Sequence, residues 1–447
     1  MYEQSFSQKN LRRILDDENK KGKYLEGEYF PQIVELSKEV KNARQSLLRI
    51  RKKKNTYSKN IYEERRNRVL AILRNRKKVR SDEINNELFK IASNISKKSF
   101  LLSINQGTML SRRPTFRLGN TAEEFFASKQ LQKNITQAFG VKQSSRHLII
   151  PQLTAVLSDS LPKVVIRTDV SSFYESLNHE VLFNLIKKEN ALSLSSKKML
   201  GKLLSDYCLL TGVRGQGVPR GIGVSAPLSE VYMSILDAKL RSLDGLIYYA
   251  RYVDDIVLVF FPTIPKAKNY YNYLDNVKSA MKSCSLEMNE SKTEFMDFSI
   301  RKKIEVFDFL GYEFHMGNVV SLDLSRRKRE NYQEKIDIIF DKFINSNKSK
   351  KDERLLINRM RFLTGNAKLT NNKGGAFVGI YFSNRFITDN KGLRFLDGYY
   401  NLKLKEISKF SLRRRMSKLS FEEGFNDKSF RKFSAKELSN ITKVWKL

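Results

Sequence analysis

The sequence predicts an α+β fold flanked on both sides by basic helical segments. Between residues 164 and 320, short β-branched and aromatic runs alternate with amphipathic helical stretches and glycine-rich turns. Before about 100 and after about 320, apolar residues recur at helical spacing within dense charge. No internal repeat or low-complexity tract interrupts this order.

Residues 1–100 read as charged helices. A basic run, Arg49-Ile50-Arg51-Lys52-Lys53-Lys54, and then Glu63-Glu64-Arg65-Arg66 surround the helically spaced Val69, Leu70, Ile72 and Leu73. Such a run is either a solvated face or an arm lying on RNA. Ser111-Arg112-Arg113-Pro114 breaks any helix there, and Ala122–Phe139 forms the next one. Arg146-His147-Leu148-Ile149-Ile150-Pro151 reads as a short strand ended by proline. Val164-Val165-Ile166 is a buried strand ending at Asp169. Helices are expected over His179–Lys188 and Ser225–Leu240, the second opened by Gly217, Pro219, Gly221 and Gly223. Tyr248–Phe261 is a β-hairpin with Asp254-Asp255 between its arms. Glu305–Phe314 is a further strand with Gly311 inside it. Beyond 320, Ile336, Phe340, Phe343 and Ile344 mark one helix face, Asn345–Lys351 is a polar linker, and Asn371-Asn372-Lys373-Gly374-Gly375 is a turn.

Charge narrows the function. The 447 residues carry 83 Lys and Arg against 48 Asp and Glu, a formal +35. A globular chain this basic is suited to a polyanion, whose phosphates it binds with release of condensed counterions. With 40% hydrophobic and 11% aromatic residues it can build real cores. Two cysteines, Cys208 and Cys284, and three histidines are too few for a structural zinc site or a disulfide framework, so both cysteines are expected to pack as small hydrophobes. The start of the chain lacks the order of a secretory signal, and no apolar run is long enough to span a bilayer. A cytoplasmic location without membrane attachment is the expectation.

The sharpest local feature is Tyr252-Val253-Asp254-Asp255 framed by Tyr248–Arg251 and Ile256–Phe260. Adjacent carboxylates in an apolar frame repel each other and lose hydration, and a hard divalent cation with oxygen ligands makes them tolerable. Asp169 stands at the end of another buried strand. If the two strands are neighbours, Asp169, Asp254 and Asp255 converge, and three carboxylates can hold two Mg²⁺ ions roughly 3.5–4 Å apart. That arrangement suits phosphoryl transfer, with one ion acting on an attacking 3′-hydroxyl and the other on the leaving pyrophosphate. Arg146 is a candidate donor to the triphosphate.

These residues bring a family into view. Asp169-Val170-Ser171-Ser172-Phe173-Tyr174-Glu175-Ser176-Leu177-Asn178-His179 resembles the first catalytic motif of reverse transcriptases. Gly217–Ser229 resembles the second, Arg251-Tyr252-Val253-Asp254-Asp255 their Tyr-x-Asp-Asp box, and Leu286–Thr293 the fourth. Phe309-Leu310-Gly311-Tyr312 resembles the primer grip. Five motifs in order, over about 140–320, make the likeness specific.

The resemblance implies a right-hand polymerase: a helical extension over 1–100, fingers over 101–165, a palm with an antiparallel sheet over 166–320, and a helical thumb with the C-terminal region over 321–447. It implies Asp169, Asp254 and Asp255 as catalytic residues, with Val170 beside them at the metals, Mg²⁺ as the pair of ions and Mn²⁺ as a substitute. Tyr174 matches the aromatic gate that excludes a 2′-hydroxyl. Only one of Phe173 and Tyr174 can face a cleft, so Phe173 is expected to pack. Arg146 matches the fingers arginine that grips triphosphate. Arg220 and Gly221 match nucleotide-side positions, Gly221 and Ser225 lying where backbone approaches the templating pair, and Lys292 matches a lysine assigned to pyrophosphate. Many relatives have Gln where Arg220 stands, which puts the contacts at that position in doubt.

Within the family, Arg361–Asn366 and Phe377–Tyr381, with Gln4–Ser7 and Glu18–Gly22 at the start, are similar to bacterial abortive-infection and defence-associated reverse transcriptases. One half of a type 3, two-polymerase defence system is the narrower likeness. It implies a structured non-coding RNA as template, a DNA product made from dNTPs, and a second polymerase subunit or self-association. The rival readings are an RNA-templated RNA polymerase, which Tyr174 argues against, a polymerase working without an external template, and a polymerase-shaped RNA scaffold, against which the intact acidic trio weighs.

Overall fold

The computed structural model describes residues 3–110, 113–189, 191–262, 271–298, 305–317, 319–369, 376–428 and 430–445. The chain divides into two compact units, one formed by 1–142 with 174–234 and the other by 143–173 with 235–447.

The first unit is mainly helical. Helices span Gln8–Lys20, Leu25–Tyr29, Pro31–Lys52 and Lys59–Ile95. Pro31 opens the third at its first position, where the missing N–H costs no helical bond. Val40, Ala43 and Leu47 recur at intervals of three and four and pack with Leu73 of the long fourth helix. Arg80 of that helix ties it down by pairing with buried Glu26 at 2.9 Å and donating to Ser37 Oγ at 2.8 Å. The basic side chains of 49 and 51–54 remain exposed. Strands β1 (Ile104–Leu110) and β2 (Arg113–Leu118) form an antiparallel hairpin around the expected break. The helix Ala122–Ala138 follows, started by a capping box in which Thr121 and Glu124 satisfy each other's backbone N–H. Helices His179–Glu189 and Leu194–Thr211 complete the unit, with Ser225–Arg241 crossing its boundary.

The second unit holds the remaining strands. β3 (Val164–Thr168), β4 (Leu246–Tyr252), β5 (Asp255–Phe260) and β6 (Glu294–Asp297) make one antiparallel sheet in the order β4-β5-β3-β6. β3 and β5 are central and nearly continuous in Val, Ile and Leu because both their faces are covered. β7 (Glu305–Phe309), β8 (Tyr312–Met316) and β9 (Ser321–Leu324) form a second antiparallel sheet. A third small sheet orders β11 (Phe377–Gly379), β10 (Asn366–Lys368) and β12 (Phe430–Arg431). Helices Arg326–Ile344, Lys350–Leu363 and Lys391–Leu404 bury Ile336, Ile339, Phe340, Leu356, Met360, Leu396 and Tyr400 in one core with β7–β9. Each large apolar side chain so buried contributes about 1.5–3 kcal/mol.

Three expectations are corrected. Residues 146–151 are not a strand: Arg146–Ser158 is a helix with Pro151 inside it. Ile149, Ile150, Leu153 and Leu157 lie on one buried face, and this 3.6-residue period outweighs the hydrogen bond that Pro151 cannot donate. Glu305–Phe314 is not one strand but two, β7 and β8, reversed at Leu310-Gly311. Both turn residues have positive φ, 49° and 82°, as a two-residue hairpin turn requires. Ile344 is 36% exposed, so only Ile336, Phe340 and Phe343 of the expected face reach the core. The turn expected over 371–375 lies outside the described residues. Cys284 is buried and Cys208 partly so, both as free thiols. No helix among the described residues is long and apolar enough to cross a membrane.

Candidate active site

Strand register sets the carboxylates in place. In the β3–β5 pair Thr168 stands opposite Ile256, so the next step along the ladder brings Asp169 toward Asp255. Tyr252 pairs with Asp255 across the β4–β5 turn, which leaves Val253 and Asp254 as its two loop residues. Val253 has φ 61°, a strained conformation for a β-branched residue that costs on the order of 1–3 kcal/mol. The turn is held from below by Arg251, which is only 6% exposed. Its Nη1 donates to the Val253 carbonyl at 2.9 Å, and its Nε and Nη2 grip both oxygens of Asp237 at 2.7 and 2.8 Å. Tyr249 Oη adds a 2.6 Å bond to Asp237. No role for Arg251 or Asp237 is evident from motif matching. The signal lies in the pattern, since an arginine on a strand of apolar and aromatic residues needs a buried partner.

On the other edge, the segment before β6 zips along the chain that carries Asp169. Asn289 N donates to the Asp169 carbonyl at 3.0 Å and Ser171 N to the Glu287 carbonyl at 2.9 Å, around a bridge between Val170 and Met288. These two bonds use the groups flanking Val170 and leave its own carbonyl outside the bridge. Thr168 and Thr293 join hydroxyls at 2.7 Å. Lys292 is thereby delivered to Asp169, whose Oδ2 accepts from its ammonium.

The electrostatics mark a cation site. Asp169 is 6% exposed and its Oδ1 is buried with no hydrogen-bond partner. Burial, then Asp254, raises Asp255 above the usual carboxylate range, with Asp169 adding to the rise and Arg167 and Lys292 opposing it. The three acids therefore lie within each other's field. Among the described residues no group of three His, Cys, Asp or Glu is already drawn to the spacing of a finished metal site. The donor set is nonetheless all oxygen, one oxygen is buried and unpartnered, and the mutual repulsion is of the sign a divalent cation relieves. The residues fit such an ion.

The other expected positions fall into two groups. In the first unit, Arg220 forks onto Glu175, with Nη2 at 3.0 Å from Oε1, and its guanidinium lies 5.1 Å from the Tyr174 ring centre. The Tyr174 carbonyl accepts from Val218 N at 2.7 Å. Arg220 thus braces Tyr174 inside this chain. Phe173, at 2% exposure, packs as expected, while Tyr174 is half-buried. Gly221 has φ 98°, and a Cβ there would stand 2.8 Å from the Phe116 carbonyl oxygen. Gly221→Ala should therefore lose about 2 kcal/mol or more, read as a lowered melting temperature.

In the second unit, the structure brings Arg146 toward the β7–β8 turn. Its charge lowers the Lys328 ammonium, already lowered by burial, to about 8, and it also acts on Tyr312. Lys328 Nζ sits 4.9 Å from the Tyr312 ring centre, donates to the Ser383 carbonyl at 3.1 Å and faces Gly311. Phe309 and Tyr312 are buried at 1%, so they anchor the turn, and Leu310 and Gly311 form its tip.

Residues 124–314 match the family model described as reverse transcriptase (RNA-dependent DNA polymerase). No curated protein matches the sequence. Among solved structures, telomerase from Candida albicans in complex with a TWJ fragment of telomeric RNA aligns at 13% identity and a TM-score of 0.35, over 79% of this chain and 64% of that one. Apo telomerase from Candida tropicalis, truncated of its C-terminal domain, aligns at 13% identity and 0.33, over 54% and 60%. The chain thus spans less than two thirds of the length of either telomerase chain. The span that matches the reverse transcriptase model, 124–314, contains Asp169, Asp254 and Asp255.

Proposed function

We propose that the protein copies an RNA template into DNA by two-metal phosphoryl transfer, and that the template is an associated non-coding RNA used in antiviral defence. The observation that carries the catalytic reading is the register of β3 against β5, which sets Asp169, with its unpartnered Oδ1, toward Asp255. Asp169, Asp254, Asp255 and the Val170 carbonyl would hold the ions, Mg²⁺ or in its place Mn²⁺. Bound there, the ions would supply a lowered pKa for the primer 3′-hydroxyl and charge neutralisation for the pyrophosphate. Lys292 supplies a proton donor and a positive charge beside Asp169. Arg146 supplies a forked donor to phosphate oxygens. Tyr174 presents its ring to the sugar 2′ position, and Phe309, Leu310, Gly311 and Tyr312 seat the primer strand. In this reading 1–100 is a helical extension, 101–165 the fingers, 166–320 the palm and 321–447 the thumb with the C-terminal region.

Primer extension on an RNA template, with dNTPs and NTPs compared, tests this reading. Incorporation of dNTPs should exceed that of NTPs, and Tyr174→Ala should narrow the ratio by roughly tenfold or more, a steric contact of this kind being worth 1–3 kcal/mol. Equal use of both by the parent chain would instead favour an RNA polymerase. The defence reading rests on the sequence likeness of the two termini. It calls for a defined RNA copurifying from a bacterial host and for resistance to phage that is lost with the acids.

The exposed cations at 49 and 51–54 should contact phosphate directly. RNA affinity should then fall with added salt, the logarithmic slope being about −0.7 per phosphate contact on single strands. Replacing Arg49, Arg51 and Lys52 by Gln should flatten that slope by roughly two to three contacts' worth. An unchanged slope assigns RNA binding to other residues.

A further inference from the structure

Far along the chain from the acids, the helices Arg326–Ile344 and Lys350–Leu363 line an open cavity of about 1110 Å³ with the helix Ala435–Thr442 and the turn after it. That volume is ample for a nucleotide, since ligand pockets run to about 300–1,000 Å³. Six cations line it: Lys342, Lys351, Arg354, Arg359, Lys436 and Lys443. Among the described residues two acids do, Asp352 and Glu437; Glu437 offsets one of these cations, Arg354, and Asp352 acts on Arg359, which leaves the lining with a clear excess of positive charge. Asp352 closes the capping box with Ser349, and Glu437 closes another with Ser434 while pairing with Arg354 at 3.3 Å.

Arg359 is the decisive residue. It is 7% exposed, and its Nε is buried with no hydrogen-bond partner. A buried guanidinium left this way is costly unless an anion joins it. Beside the cations, Asn358 and Asn440 offer carboxamides, and Leu355 and Val444 offer apolar wall. Cations for a phosphate chain, amides for base edges and an apolar wall for a ring together describe a nucleotide.

We propose that this cavity is a second anion site, separate from the polymerase centre, that takes the polyphosphate of a nucleotide, with Arg359 as its buried anchor. The polyphosphate is either that of a free nucleoside triphosphate or the 5′-triphosphate end of an RNA. The inference stands independently of the polymerase reading, since it uses none of the same residues.

Titration calorimetry on the full chain tests it, at constant ionic strength because screening alters such contacts. EDTA and an Asp254→Ala/Asp255→Ala background remove metal-dependent triphosphate binding. The probes are inorganic tripolyphosphate, ATP, and a short RNA carrying either a 5′-triphosphate or a 5′-hydroxyl. Tripolyphosphate should bind, and Arg359→Gln should weaken it roughly tenfold or more, as loss of a charge-assisted fork does. The exposed pair Lys351→Gln/Lys436→Gln, which touches no core, should weaken it as well. Tighter binding of ATP than of tripolyphosphate assigns the site to a free nucleotide. Tighter binding of the triphosphate RNA than of ATP assigns it to an RNA end. The proposal is overturned if neither set of substitutions changes tripolyphosphate affinity, or if the 5′-hydroxyl RNA binds as tightly as the 5′-triphosphate RNA and tripolyphosphate does not bind.

Discussion

Replacing Asp254 and Asp255 by alanine should lower nucleotide incorporation by on the order of a thousandfold or more while leaving RNA affinity within about twofold. The two halves of this expectation have different physical origins. In the proposed function, incorporation would depend on divalent charge held at the β4–β5 turn, which loses both of its carboxylates in this variant. RNA affinity would depend on cations distributed over the chain, of which the substitutions remove none. Asp169→Asn separates the roles further. The amide keeps the shape and one oxygen, but it no longer carries the charge that Lys292 and an ion need. Incorporation should fall to the same degree, and the variant should fold, because Asp169 Oδ1 has no internal partner to lose and the partner of Oδ2, Lys292, is largely exposed. Primer extension alongside filter binding, on the same preparations, reads both quantities.

The second large effect concerns stability. Arg251→Ala should destabilise the second unit by about 2–3 kcal/mol, since it removes a buried guanidinium and leaves the partly buried Asp237 carboxylate without its charge-assisted bonds. Asp237 would lose both Arg251 bonds and keep the Tyr249 hydroxyl, and the strained Val253 turn would lose its anchor. Arg251→Lys should recover only part, because an ammonium cannot fork onto two carboxylate oxygens and also reach the Val253 carbonyl. A double-mutant cycle with Asp237→Ala gives the coupling directly: the pair of changes should cost less than the sum of the singles, since removing both ends leaves no buried charge unpaired. Thermal denaturation measures the loss. Incorporation should fall in the folded fraction too, because the same guanidinium positions the loop carrying Asp254.

Much of this was legible in the chain, for identifiable reasons. The β4–β5 hairpin and β3 stand out because their residues are β-branched or aromatic and because charge appears only at their ends. The helices Ala122–Ala138 and Ser225–Arg241 show a helical period with clear starts. The period of Arg146–Ser158 shows only over a window that includes Leu153 and Leu157, and Pro151 ends any shorter one. The β7–β8 reversal carries no local signal, because Leu310-Gly311 lacks the Asn-Gly or Asp-Gly signature and leucine has no local preference for the left-handed conformation it adopts. The fork of Arg220 on Glu175 and the clamp of Arg251 on Asp237 join residues 45 and 14 positions apart, contacts that local pattern does not encode. A matching motif gives a residue type, while its partner is given only by the fold.

The most direct test is anomalous diffraction from crystals of the full chain grown with Mn²⁺ and a non-hydrolysable dNTP. The expected result is manganese at coordination distance from Asp169 Oδ1 and from the carboxylates of the 254–255 turn, with the nucleotide phosphates on the same ions. Nucleotide bound with no manganese at Asp169, or manganese held by other residues, would contradict a catalytic centre built from these three acids.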